Sequence, residues 1–143
     1  EHDRPRFVVP SPYFDVLVAP DGLLRIVDPG RHRVTAYTHE GDLEQSWGTP
    51  TYALEGFSGC CNPAHLAVLP DGRLVTSEKG IARVKVYDAQ GRFETAVVGP
   101  DGLDTETGPC DVAVDSAGRI VVLDPGRSRI RIFEPKPRSD RED

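Results

Sequence analysis

The chain has 143 residues, 38% of them hydrophobic, with 23 acidic against 17 basic side chains and a net charge of −6. That length and apolar content suit a single domain with a real core and exclude a disordered polymer. The basic residues are interspersed rather than grouped, which argues against nucleic acid as a partner, and no apolar run approaches the roughly 20 residues of a membrane span.

The sequence starts Glu1-His-Asp-Arg, contains no methionine, and shows no signal-peptide pattern at its start. We therefore expect either that a leader has been removed or that the segment belongs to a longer polypeptide. The first β-type run is Arg6-Phe-Val-Val9, expected to be an orphan fourth strand that precedes the first repeat. Leu17-Val-Ala-Pro-Asp-Gly-Leu-Leu-Arg-Ile-Val-Asp28 then opens a pattern that returns at Ala67 to Glu78 and at Ala113 to Asp124, without a gap, at offsets of 50 and then 46 residues. Each copy runs through a turn into Arg33-Val-Thr-Ala-Tyr37, Arg83-Val-Lys-Val-Tyr87 or Arg129-Ile-Arg-Ile-Phe133. Such self-similarity marks a repeat architecture.

The second unit spells out the element order. His65 to Leu69, Arg73 to Ser77, Arg83 to Tyr87 and Phe93 to Val98 are predicted strands, with tight turns at Pro70-Asp-Gly72 and Ala89-Gln-Gly91. Arg83 to Tyr87 alternates polar and apolar residues, as expected of a strand with one buried face. Four antiparallel strands per unit of about 40 to 50 residues is the arithmetic of a β-propeller blade. The fold class is therefore all-β, with units at about 10–50, 60–100 and 108–134 inside a 1–134 region, residues 6–9 as the extra strand, and 135–143 as a charged tail. The third unit shows three predicted strands and then Glu134-Pro-Lys-Pro137. Three blades are too few to close a ring, so a six-bladed ring is expected, completed by a second copy as a homodimer or by an upstream half.

At Asp28-Pro-Gly-Arg-His-Arg-Val34 and Asp124-Pro-Gly-Arg-Ser-Arg-Ile130 the chain resembles the NHL repeat, and the middle unit keeps Gly80, Arg83, Val84 and Tyr87 but carries Glu78-Lys79 in place of Asp-Pro. The resemblance implies a propeller that is usually six-bladed. Its family includes interaction scaffolds, lyases and sugar- or ligand-binding proteins, so it does not choose a function. Gly59-Cys-Cys-Asn-Pro63 and the run Glu78 to Tyr87 are similar to bacterial NHL-repeat proteins with that cysteine motif, which implies a further cysteine where this chain has Ser58.

Cys60 and Cys61 end the long connection between the first and second units, and Cys110 occupies the next connection. A propeller puts such connections on one face, where the three sulfurs can converge. Three readings compete: a disulfide, either vicinal or to Cys110; a transition-metal or zinc site; and unpaired buried thiols. Cysteine usage and the missing methionine point to a periplasmic or extracellular setting. His65 aligns with Asp15 and Asp111 at the starts of first strands, so the three are expected to ring the channel mouth, either holding a metal with the thiols or bonding neighbouring backbone and water.

Asp28, Glu78 and Asp124 recur with Arg33, Arg83 and Arg129 in every unit, which favours turn-bracing ion pairs over catalysis. Lys79 alone breaks that pattern and, with Glu78, is a candidate for a specific site. Trp47, Tyr52 and Phe57 are expected to anchor the cysteine loop. No catalytic motif is present, so no catalytic residue is named. A module binding a protein or small ligand through its cysteine-bearing face comes first, and an extracytoplasmic metal- or disulfide-dependent enzyme at the channel mouth second.

Overall fold

The computed structural model describes residues 6–103 and 108–136. Among the described residues, eleven strands form three antiparallel sheets in simple up-and-down order. Blade 1 comprises β1 (Val16–Val18), β2 (Leu24–Asp28), β3 (Arg33–Tyr37) and β4 (Leu43–Trp47). Blade 2 comprises β5 (His65–Val68), β6 (Leu74–Glu78), β7 (Arg83–Tyr87) and β8 (Phe93–Val98). Blade 3 has β9 (Asp111–Val114), β10 (Ile120–Asp124) and β11 (Arg129–Phe133).

The turns explain this regularity. In the first hairpin of blade 2, Gly72 takes φ +91°, and its N–H donates to the Leu69 carbonyl at 2.9 Å. That left-handed geometry favours glycine. At the second corner of blades 1 and 3, Pro-Gly-Arg makes one 3-10 turn, closed by His32 and Ser128 at φ 57° and 49°. Arg33 Nε lies 3.2 Å from Asp28 Oδ2, Arg83 Nη2 2.7 Å from Glu78 Oε2, and Arg129 Nε 3.5 Å from Asp124 Oδ2. The repeated pair thus braces the same corner in each blade.

The core lies between the blades. Val27 and Val34 of blade 1 meet Phe57, Leu66, Leu74 and Tyr87. On the other side of blade 2, Ala67, Val75, Val84 and Val86 meet Val112, Ile120, Val122 and Cys110. Every residue of β6 and β7 is therefore buried. The expectation of a single buried face for Arg83 to Tyr87 is corrected: a blade between two others covers both faces of its central strands.

Residues 6–9 also differ from expectation. They form no strand. Instead the Val8 N–H donates to Asp28 Oδ1 at 2.9 Å, and the Val8 carbonyl accepts from the Gly30 N–H at 2.8 Å. Ser58 N–H makes the matching contact to Glu78 Oε2 fifty residues on. Arg6 to Val9 therefore corresponds to the connection that enters a blade rather than to a fourth strand. The expected charged tail lies outside the described residues from position 137 onward.

Candidate functional site

The first strands of the three blades stand side by side, β1 next to β5 and β5 next to β9. Each begins at the end of its blade that carries the β2–β3, β6–β7 or β10–β11 corner, because the pairing is antiparallel. Asp15 immediately precedes β1, while His65 and Asp111 are the first residues of β5 and β9. The fold thus brings together three side chains that are far apart in sequence.

His65 Nδ1 lies 3.6 Å from Asp15 Oδ2 and 3.8 Å from Asp111 Oδ1. One ligand atom from each residue falls within 4.8 Å of the others. These separations are too long for good hydrogen bonds. They are somewhat wider than the roughly 3.4 Å between neighbouring ligand atoms on tetrahedral bonds of about 2.1 Å, so the side chains would have to draw inward to share one ion. Backbone contacts fix the carboxylates: Asp15 Oδ1 accepts from Val16 N–H at 2.9 Å, its Oδ2 from Leu66 N–H at 3.0 Å, and Asp111 Oδ1 from Val112 N–H at 2.8 Å. Burial opposes ionisation of Asp15, but the adjacent His65 ring and the hydrogen bonds from the Leu66 and Val16 N–H groups outweigh it and hold the carboxyl below its ordinary value. The Tyr13 ring stands edge-on to His65 at 5.7 Å, and Lys79 Nζ lies 5.7 Å from the centre of that ring.

The sulfurs do not converge. Cys60 and Cys61 form a vicinal disulfide, whereas Cys110 is a free thiol buried between blades 2 and 3. Burial, with the Asp124 carboxylate adding to it, pushes the Cys110 thiol up, away from the thiolate that binds metals. Among the described residues no cysteine belongs to the His65 group, so a mixed thiolate and imidazole site is corrected to a carboxylate and imidazole one. Asn62 clamps the disulfide loop to the β6–β7 corner: its Nδ2 donates to the Ser58 and Lys79 carbonyls at 2.7 and 2.9 Å, and its Oδ1 accepts from Lys79 N–H at 2.9 Å.

Glu78 is not available to a ligand. It is 1% exposed, and besides Arg83 it holds Lys85 Nζ at 2.5 Å from Oε1. Lys85 was missed in the sequence. It is completely buried, and its ammonium also donates to the carbonyls of Leu54 and Gly56 at 2.8 and 2.5 Å, beside the rings of Phe57 and Tyr87. The signal was the third-strand position that holds Thr35 in blade 1 and Arg131 in blade 3. Trp47 and Phe57 anchor the loop as expected, their rings 6.0 Å apart, while the Tyr52 ring is exposed and only its carbonyl is held, by Arg83 Nη1 at 3.0 Å. Tyr13 was missed as well, with no distinguishing signal in Ser11-Pro-Tyr-Phe14.

No family model matches the sequence, and no curated protein matches it. Solved structures do. A catalytically inactive virginiamycin B lyase from Staphylococcus aureus with quinupristin superposes with a TM-score of 0.59 at 13% identity, covering 91% of this chain and 44% of that one. A selenomethionine-substituted virginiamycin B lyase from the same organism gives 0.55 at 12%, covering 92% and 45%. A streptogramin B lyase gives 0.52 at 16%, covering 92% and 44%. At such identity the likeness shows the fold: this chain is a three-bladed portion of a β-propeller. It spans under half the length of the structures it matches.

Proposed function

We propose that the chain is an NHL-type propeller module that binds a ligand at the end carrying Asp15, His65 and Asp111, and that the ligand is a divalent transition metal, zinc included, or a cationic group. The observation that supports it is the grouping of one imidazole and two carboxylates, from three consecutive blades, within 4.8 Å. The Cys60–Cys61 loop lies at the same end, where it is offered to a protein or small-molecule partner, and its disulfide suits a periplasmic or extracellular setting. Blades beyond these three, from a second copy or another segment, would form the rest of the mouth.

Calorimetric titration with zinc tests this reading. Saturable binding is expected, weakened at least tenfold in His65→Ala and in Asp15→Asn with circular dichroism unchanged. Zinc that fails to bind, or binds His65→Ala equally well, overturns it.

The second reading is a metal-dependent enzyme at the same mouth, favoured by the lyases among the matching structures. Chromatography of quinupristin after incubation with zinc-loaded protein separates the two. A new product that disappears in His65→Ala selects the enzyme; an unchanged substrate leaves the binding module.

A further inference from the structure

At the corner between β6 and β7, blade 2 departs from the construction of blade 1. There the Gly30 N–H ties the corner to its incoming connection by donating to the Val8 carbonyl. Ser58 holds the place of Val8 in blade 2, but its carbonyl accepts from Asn62 Nδ2, while Asn62 Oδ1 takes the Lys79 N–H. Asn62 stands where blades 1 and 3 have Pro12 and Gly108, and Lys79 where they have Pro29 and Pro125. One exception holds the other: the Asn62 amide is 1% exposed and grips the Lys79 backbone by both its N–H and its carbonyl. Tying a corner to its connection does not require this, since blade 1 manages it with a glycine. What the exchange adds is an ammonium group projecting from a fixed point.

That ammonium belongs to the mouth. Lys79 Nζ lies 5.7 Å from the centre of the Tyr13 ring, and the Tyr13 ring lies 5.7 Å from that of His65. Lys79 is half-buried, and among the described residues it pairs with no carboxylate: Asp15 is held by the Leu66 and Val16 N–H groups and Asp111 by the Val112 N–H. A divalent ion held by two carboxylates and a neutral imidazole has no net charge together with its ligands, and three protein donors leave the fourth position of a tetrahedral ion open. Lys79 adds a positive charge to that neutral group.

We infer that Lys79 makes this mouth a site for a carboxylate ligand, which binds the ion at its open position and whose charge the ammonium balances. One ammonium matches a carboxylate, whereas a doubly charged phosphate would be balanced only in part. The Tyr13 ring, close to both Lys79 and His65, offers apolar surface to the body of the ligand. The inference rests on the metal-binding reading above.

Calorimetric titration of the zinc-loaded chain with benzoate tests it, beside benzamide, a neutral molecule of the same shape, and methyl phosphate. Saturable binding of benzoate is expected, with both comparison molecules at least tenfold weaker. Lys79→Met should lose at least tenfold in benzoate affinity with circular dichroism unchanged, and Lys79→Arg should keep most of it. Zinc itself should bind Lys79→Met no more weakly than the wild type, because one positive charge fewer faces it. Normal zinc binding with no benzoate binding, with benzoate indifferent to Lys79→Met, or with benzamide or methyl phosphate bound as tightly, overturns this inference alone. A chain that binds no zinc overturns the metal-binding reading and this inference together.

Discussion

Lys85 has no access to water, yet it carries a charge in the middle of the joint between blades 1 and 2. Burial pulls its ammonium below the ordinary 10.5, and the Glu78 carboxylate opposes that pull. Burial likewise pushes the neighbouring Tyr87 phenol up. The arrangement is satisfied only as a whole, because Glu78 Oε1 and two loop carbonyls share one donor group. Lys85→Met should cost about 3 to 5 kcal/mol, the usual cost of removing one partner of a buried ion pair. Urea unfolding followed by Trp47 fluorescence measures it, and an unchanged midpoint would deny the lysine this role. Little of this was legible in the sequence. Strand alternation assigns Lys85 to a polar face, and only the loop that folds over that face turns it inward. The grouping of His65 with Asp15 and Asp111 was legible, because alignment of the repeats already puts the three at one strand start.

Between elements, a second regularity emerges that uses different residues in each copy. The carbonyl that ends up beside the corner belongs to Arg6, Gly56 or Gly102, which are equivalent in the repeat. In blade 1 it accepts from Arg31, in blade 2 from Lys85, and in blade 3 from Arg127 and Arg131. Each blade thus ties its incoming connection with a cation, but from whichever strand or corner supplies one. That explains why strand positions could be read while Arg6 to Val9 could not: three apolar residues in a row suggest a ladder, whereas the peptide groups of Val8 are in fact satisfied by Asp28 and Gly30. The turn between β7 and β8 locks to blade 1 by close approach. A Cβ on Gly91, at φ +86°, would sit 2.2 Å from the Trp47 ring. Gly91→Ala is expected to destabilise by roughly 1 to 3 kcal/mol through that overlap and the left-handed backbone. A thermal scan showing no loss would mean that Trp47 moves freely.

Acid should loosen the whole molecule. Asp21 is held below the ordinary 3.8 chiefly by the Arg25 guanidinium. Asp71 is held there, against the effect of burial, by Arg73, and Asp115 chiefly by the Arg119 N–H. Lowered folded-state values mean that the unfolded chain binds more protons in this range, so the stabilisation is present above 3.8 and is lost as pH falls through the folded values. The urea midpoint should therefore drop between about pH 6 and about pH 2.5, and a constant midpoint would contradict these shifts. At this scale the sequence was most informative, since three copies in register are enough to define blades. What covers the outer faces of blades 1 and 3 was not legible, because apolar residues at strand positions read alike whether a neighbouring blade covers them or not. The tie on the Gly56 carbonyl has a further consequence for how such a chain can change. Near-identical blades invite exchange by recombination, yet blade 1 transplanted into the second position would set Thr35 beneath the carbonyls of Leu54 and Gly56, where an ammonium now stands. Blade 2 and the loop that enters it would therefore have to be exchanged as one unit, even though the repeat makes the modules look interchangeable.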